Sequence, residues 1–209
     1  MIGRLRRWAR GHTGKRRYSP IGQAFHWTVA ALVAFQLWWG WRTGRLPVGY
    51  DKVEAYHLHI HVGLAILALT ALRMIWRLMV PGPVNDADKP GWRNTAAHVT
   101  HYLFYICLVG LPLSGWIVLS ATARADPVPL IGGATLPLAP LETLSTPTLW
   151  AIEQTAEQVH FGLILTLLVL IPIHAGAALT HHFLHQHDVL TAMTPRPVAA
   201  ALQRIRPGR

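Results

Sequence analysis

The chain has one cysteine, Cys107, in 209 residues. That excludes an intramolecular disulfide and any iron–sulfur cluster held by cysteines. Acidic residues are also scarce, 9 against 19 Lys and Arg, and charged residues make up only 13% of the chain. No segment alternates apolar and polar residues over many strands, which argues against a β-barrel. Hydrophobic residues account for 52% of the composition, and they are gathered into long runs.

Four runs are long enough to cross a hydrocarbon core, which takes about 20 residues of helix. They cover roughly 23–41, 57–79, 97–121 and 150–182. The expected fold is an all-α membrane protein, a bundle of four transmembrane helices. The placement of charge orients it. Arg4, Arg6, Arg7, Arg10, Lys15, Arg16 and Arg17 precede the first run without an acid among them, and Arg196, Arg204, Arg206 and Arg209 follow the last. Positive charge at both ends of an even number of spans puts both termini in the cytoplasm. It also assigns the net charge of +10 to a membrane surface rather than to nucleic acid. A basic arm over 1–20, a membrane domain over 21–195 and a basic tail over 196–209 follow, the tail resting on anionic head groups. The first run is read as a retained helix, because Trp38, Trp39 and Trp41 end it where a cleavage site would need small residues. Residues 42–56 form a short external loop and 80–96 a short cytoplasmic one. Residues 122–149, broken by Pro127, Pro129, Pro137, Pro140 and Pro147, cannot span and lie over the outer face.

The chain contains 13 histidines. Ionisable groups inside a bilayer are costly and usually functional. His26 lies near the cytoplasmic side of the first span and His59 near the external side of the second. His160 and His174 share the fourth. Fourteen residues advance a helix by about 21 Å and return it to within roughly 40° of its starting direction. Both imidazoles therefore face one side of the bundle, one in each leaflet. By depth, His174 meets His26 and His160 meets His59. Four such histidines suit two haems stacked across the bilayer, each between two axial imidazoles. With no Cys-x-x-Cys-His, those haems are not covalently attached. Interhelical hydrogen bonding is the simpler fate of any single one of these histidines.

Other residues bear on this assignment. His57 and His61 flank His59, and His61 is the more plausible substitute for it. His98 and His101 could replace an inner ligand or contact a substrate. His181, His182, His185 and His187 form either a loose metal site or a solvated interfacial run. Arg73, fourteen residues after His59, could pair with a haem propionate or snorkel outward with Arg77. Gly63, one turn past His59, leaves room for a flat macrocycle or for close helix packing.

The order and spacing of several short elements resemble the prokaryotic cytochrome b561 family, which is similar in turn to the b-type cytochrome subunits of nickel–iron hydrogenases. They are Tyr18-Ser19 before His26-Trp27, His59-x-x-x-Gly63, Arg73-x-x-x-Arg77, Ala97-His98-x-x-His101, and Leu111-Pro112-Leu113-Ser114-Gly115. Gly133-Ala134-Thr135-Leu136-Pro137, His160, His174-Ala175-Gly176 and His181-His182 follow. The match runs from about Tyr18 to Arg196. In one departure, the family's glutamine before the first histidine falls one place later, as Gln23.

The resemblance implies two haems b, with His26, His59, His160 and His174 at the ligand positions. It also implies a quinone partner in a bacterial inner membrane. On the cytoplasmic side, Tyr18, Ser19, His101, His181 and His182 are candidates to contact that quinone. The external partner is expected to be a one-electron species. Superoxide oxidation coupled to ubiquinone reduction fits a positive entrance formed by Arg42, Arg45, Lys52 and Arg124. The alternative is an anchor subunit that passes electrons to a separate enzyme, such as a hydrogenase or a periplasmic cytochrome c.

Overall fold

A computed structural model describes residues 3–4, 17–80, 82–83, 91–122, 128–130, 133–185 and 187–206. Six helices follow residue 17: α1 (Pro20–Gly44), α2 (Tyr50–Met79), α3 (Trp92–Thr122), α4 (Thr146–Phe183), α5 (Val189–Met193) and α6 (Arg196–Arg204). The described residues contain no strand, only an isolated bridge between Pro129 and Thr135.

The start of α1 is set locally. Ser19 Oγ accepts the Gly22 amide hydrogen at 3.1 Å, a side-chain cap, and Pro20 occupies the first helical position, where no amide is needed. Trp76 Nε1 donates to the same Ser19 oxygen at 3.0 Å. The helices run past the apolar stretches at both ends of the first connection, leaving 45–49 in place of the expected 42–56. Asp51, Lys52 and Glu54 are polar, but polar side chains do not stop a helix.

Among the described residues, α2, α3 and α4 are long and apolar enough to cross a membrane. The most apolar stretch of each is only 11–17% buried within the protein. Side chains such as Leu72, Ile106, Phe161, Leu168 and Ile173 thus face outward, which in water would be a large unpaid exposure and in lipid is none. The helix α1 is long enough, but polar residues interrupt it, Gln23, His26, Gln36 and Arg42. The protein is an all-helical membrane protein.

The chain divides into two compact units. The first comprises Met1–Ala31, Leu69–Phe104 and Val169–Arg209, and the second Leu32–Ala68 and Tyr105–Leu168. In the first unit, α5 and α6 are tied to the entry of α1. Tyr18 N donates to Ala192 O at 3.1 Å, Gln23 Nε2 to both Tyr18 O and Ala192 O, and Trp27 Nε1 to Met193 O at 2.8 Å. Arg17 donates to Thr194 O. Arg206 closes the segment by donating to His182 O and His187 O and pairing with Asp188 at 3.3 Å.

In the second unit, Gln36 Nε2 donates to His59 O at 2.7 Å and Trp39 Nε1 to Ala55 O at 2.9 Å, joining α1 to α2. Interhelical bonds of this kind contribute on the order of 1 kcal/mol each. The proline-rich connection packs against α2 and α3. His61 Nε2 meets Pro129 O at 3.0 Å, Trp116 Nε1 donates to Pro137 O at 2.8 Å, and Ala139 N donates to Ser120 Oγ at 3.0 Å. Gly133, at φ +84°, makes the tight reversal that pairs Leu130 with Ala134.

Candidate functional site

In the first unit, the rings of His26 (α1) and His174 (α4) have centroids 6.2 Å apart. In the second, those of His59 (α2) and His160 (α4) are 6.3 Å apart. The depth-matched pairs anticipated from spacing are therefore the pairs brought together. A metal–imidazole bond of about 2 Å on each side, plus about 1.1 Å from nitrogen to ring centre, gives roughly 6 Å between centroids. Each pair is thus spaced for one metal atom between two imidazoles.

Among the described residues, no group of three or more His, Cys, Asp or Glu side chains could hold a metal ion. A bare transition-metal ion wants about four protein donors. Two imidazoles and nothing further suit a metal whose other four positions are filled by a macrocycle, as in haem.

Further features of the second-unit site fit a bound group. His59 Nδ1 and Gln36 Oε1 are buried with no hydrogen-bond partner among the described residues. Orphaned polar atoms of this kind cost about 1–3 kcal/mol each. Gly40 lies against the His59 ring, where a Cβ would come within 3.0 Å of Cε1, and Gly115 lies against His160, at 3.4 Å on the same measure. Gly63 faces Gln36 Nε2, 3.5 Å from where its Cβ would stand. His160 Nδ1 sits 3.0 Å from Ser114 Oγ, whose own hydrogen goes to Gly110 O at 2.7 Å. With that hydrogen committed, Ser114 accepts from Nδ1–H, and the lone pair of His160 Nε2 is left free for a metal.

In the first unit, Arg73 neither snorkels nor stands apart. Its Nη1 donates to His26 Nδ1 at 3.0 Å. His174 is bordered by His101, at 5.7 Å between ring centroids, and by Phe104, at 5.3 Å edge-on. His101 is exposed, and its ring lies as near to His174 as that of His26 does.

The remaining candidates separate by what already engages them. Both nitrogens of His61 face carbonyl oxygens, those of His57 and Pro129, so its role is to hold the outer connection. His98 Nδ1 donates to Asn94 O. Ser19 is buried as the α1 cap. Tyr18 lies under the Arg77 guanidinium, 5.0 Å from its ring centre. His182 is fully buried and donates through Nε2 to Leu202 O at 3.2 Å. His181 stacks on His187 with centroids 5.4 Å apart, and His185 lies 5.5 Å from His181. Arg42 and Arg45 are exposed over Trp39 and Trp41, and Lys52 Nζ donates to Leu46 O. Arg124 lies outside the described residues.

Gln36, Gly40 and Phe104 are site residues that sequence reading did not single out, and Ser114 entered it only within the Leu111–Gly115 element and with no role assigned. Gly40 had a usable signal, since it follows His26 by the same fourteen residues that separate His160 from His174.

The family model for prokaryotic cytochrome b561 matches residues 17–196. "Cytochrome b561 homolog 2" of Escherichia coli (strain K12) is 29% identical over 188 residues, covering 85% of this chain and 90% of that protein. "Probable superoxide oxidase CybB" of Yersinia pestis is 25% identical over 185 residues, covering 87% and 97%. "Cytochrome b561 homolog 1" of E. coli is 24% identical over 181 residues, covering 86% and 98%. With paired membrane histidines and a match over most of its length, this chain belongs to the prokaryotic cytochrome b561 family of haem-binding membrane electron carriers.

Proposed function

We propose that the chain is a di-haem b cytochrome with four membrane crossings and both termini cytoplasmic, set in a bacterial inner membrane. It passes electrons between the quinone pool and an external one-electron partner. The observation that carries this reading is the two imidazole pairs, at 6.2 and 6.3 Å, with no group of three or more His, Cys, Asp or Glu among the described residues that could hold a bare metal ion. His26 and His174 hold one haem, and His59 and His160 the other. Haem b, when bound, supplies reversible one-electron exchange at its iron.

The chain's own residues position and tune. Ser114 fixes the His160 tautomer, and Gly40, Gly63 and Gly115 keep the second site open. Arg73 on His26 Nδ1 leaves a neutral ring with its proton on Nε2, the nitrogen a metal needs. For His26 to hold a haem through Nε2 its proton would have to move to Nδ1, so Arg73 would release that nitrogen and could pair with a haem propionate instead. Of the cytoplasmic candidates, Ser19 and His182 are buried in structural bonds. We take His101, exposed beside His174, and His181 to be the groups that pass protons to a quinone.

On the external side, the reading takes superoxide as the donor. Two superoxide anions leave as two dioxygen molecules, and one quinone takes up the two electrons and two protons. The relative bearing the name of a probable superoxide oxidase supports this choice. Exposed Arg42 and Arg45, with Lys52, give a small anion a positive approach.

The test is the haem-to-protein ratio of the detergent-purified chain with a dithionite-reduced spectrum. Two haems b are expected, falling to one in His59→Ala and to one in His174→Ala. A wild-type ratio of one, or a variant that keeps both haems, would overturn the pairing.

A further inference from the structure

Where the start of α6 meets the entry of α1 there is a half-open cleft of about 300 Å³, which includes Tyr18, one of the quinone candidates, but none of the four paired histidines. Arg17, Tyr18, Pro20, Gln23, Pro195 and Arg196 line it. This volume falls at the small end of ligand pockets, which run from about 300 to 1,000 Å³. Two of the six lining residues are arginines, and none is acidic. The nearby acid Asp188 is already paired with Arg206 at 3.3 Å.

The walls are fixed in place. Gln23 is buried, and its amide nitrogen holds both Tyr18 O and Ala192 O, at 3.1 and 3.2 Å. Arg17 is half-buried and anchored on Thr194 O, while Arg196 is exposed at the mouth. Pro20 opens α1 and Pro195 precedes α6, so two helix N-termini add their positive ends to the two guanidinium groups.

The surroundings are those of a membrane interface. Trp27, 45% exposed, lies one to two turns into α1 with its indole N–H held by Met193 O. The helix α6 is amphipathic, with Ala199 buried, Val198 exposed and Arg196 and Arg204 at its ends. A helix of that kind lies in the head-group plane.

We propose that this cavity is a specific site for the phosphate of an anionic phospholipid, whose acyl chains run along the apolar surface of α1 beside Trp27. The guanidinium pair recognises the phosphodiester, and the interfacial setting selects a lipid over free phosphate. The proposal depends on the membrane location and not on the haem assignment.

The experiment is native mass spectrometry of the delipidated, haem-loaded full chain, titrated separately with phosphatidylglycerol and phosphatidylcholine. The expected result is one tightly held phosphatidylglycerol per chain, with phosphatidylcholine weaker. Among the described residues the Arg196 side chain makes no hydrogen bond or ion pair, so Arg196→Gln should keep its haem content and weaken phosphatidylglycerol about fivefold, the worth of one interfacial arginine. Arg204→Gln, on the same helix but outside the cavity, should change nothing. Equal losses in the two variants would reduce the effect to diffuse surface charge and overturn the site. Undiminished binding in Arg196→Gln would overturn it as well. Millimolar inorganic phosphate that displaces the lipid completely would assign the cavity to a free anion and refute the lipid.

Discussion

At the scale of single residues, the second-unit site depends on what is missing from two positions as much as on its ligands. A methyl group at Gly40 would stand 3.0 Å from His59 Cε1, so the ring would have to give by a few tenths of an ångström, whereas one at Gly115 would stand 3.4 Å from His160, near ordinary contact. Gly162 and Gly176, on the same helix as His160 and His174, have nothing among the described residues within 4 Å of a Cβ. Gly40→Ala should therefore lower the haem content toward one per chain, with Gly115→Ala milder and Gly162→Ala and Gly176→Ala silent. Reduced-minus-oxidised spectra normalised to protein give this ranking, and a silent Gly40→Ala would break it. Ser114→Ala removes the acceptor that fixes His160, and losses of this kind typically cost 10- to 100-fold in metal affinity. A haem-transfer assay to apomyoglobin should show faster loss of one haem and an unchanged rate for the other.

At the scale of elements, α4 is the helix on which both pairs depend. One alanine inserted between Leu167 and Leu168 would turn His174 by about 100° relative to His160. The haem ratio of such a variant should fall from two to one, because the helix can keep only one ligand in register. This fourteen-residue interval was the most legible feature of the sequence, and it extends further than the histidines suggest. His26 and Gly40 on α1, His59 and Arg73 on α2, and His101 and Gly115 on α3 are each separated by the same number. Every long helix thus gives one residue to each unit's site, and glycine stands where a facing imidazole needs room. The glycines were hidden because small residues in membrane helices are usually read as packing. Gln36 and the role of Ser114 were hidden because a polar side chain within a span can bond to its own helix. The partner of Arg73 could not be read from spacing at all, because depth places a guanidinium without saying which acceptor it will choose. Helix ends were the least legible, since hydropathy marks the thickness of lipid and not the last hydrogen-bonded turn. The same limit applies to α6, where a run of basic residues read as a tail is an amphipathic helix with Ala199 buried.

At the scale of the whole molecule, charge is distributed by function. Arg42, Arg45 and Lys52 belong to the unit that holds His59 and His160, and Arg17, Arg196 and Arg206 to the one that holds His26 and His174. If the first group steers a small anion, replacing all three with glutamine should slow superoxide-driven quinone reduction by about tenfold at low ionic strength. The deficit should shrink as salt is added, because the Debye length contracts from about 30 Å at 0.01 M to about 8 Å at 0.15 M. A deficit independent of salt would mean that these residues act by contact and not by field. The tie between Arg17 and Thr194 joins positions 177 residues apart in sequence. On a ribosome, the first helix is therefore made long before the carbonyls that hold its entry. The clasp at residues 192–194 is added only after the fourth helix has been synthesised, so the unit that holds His26 and His174 is completed in the final stage of biogenesis.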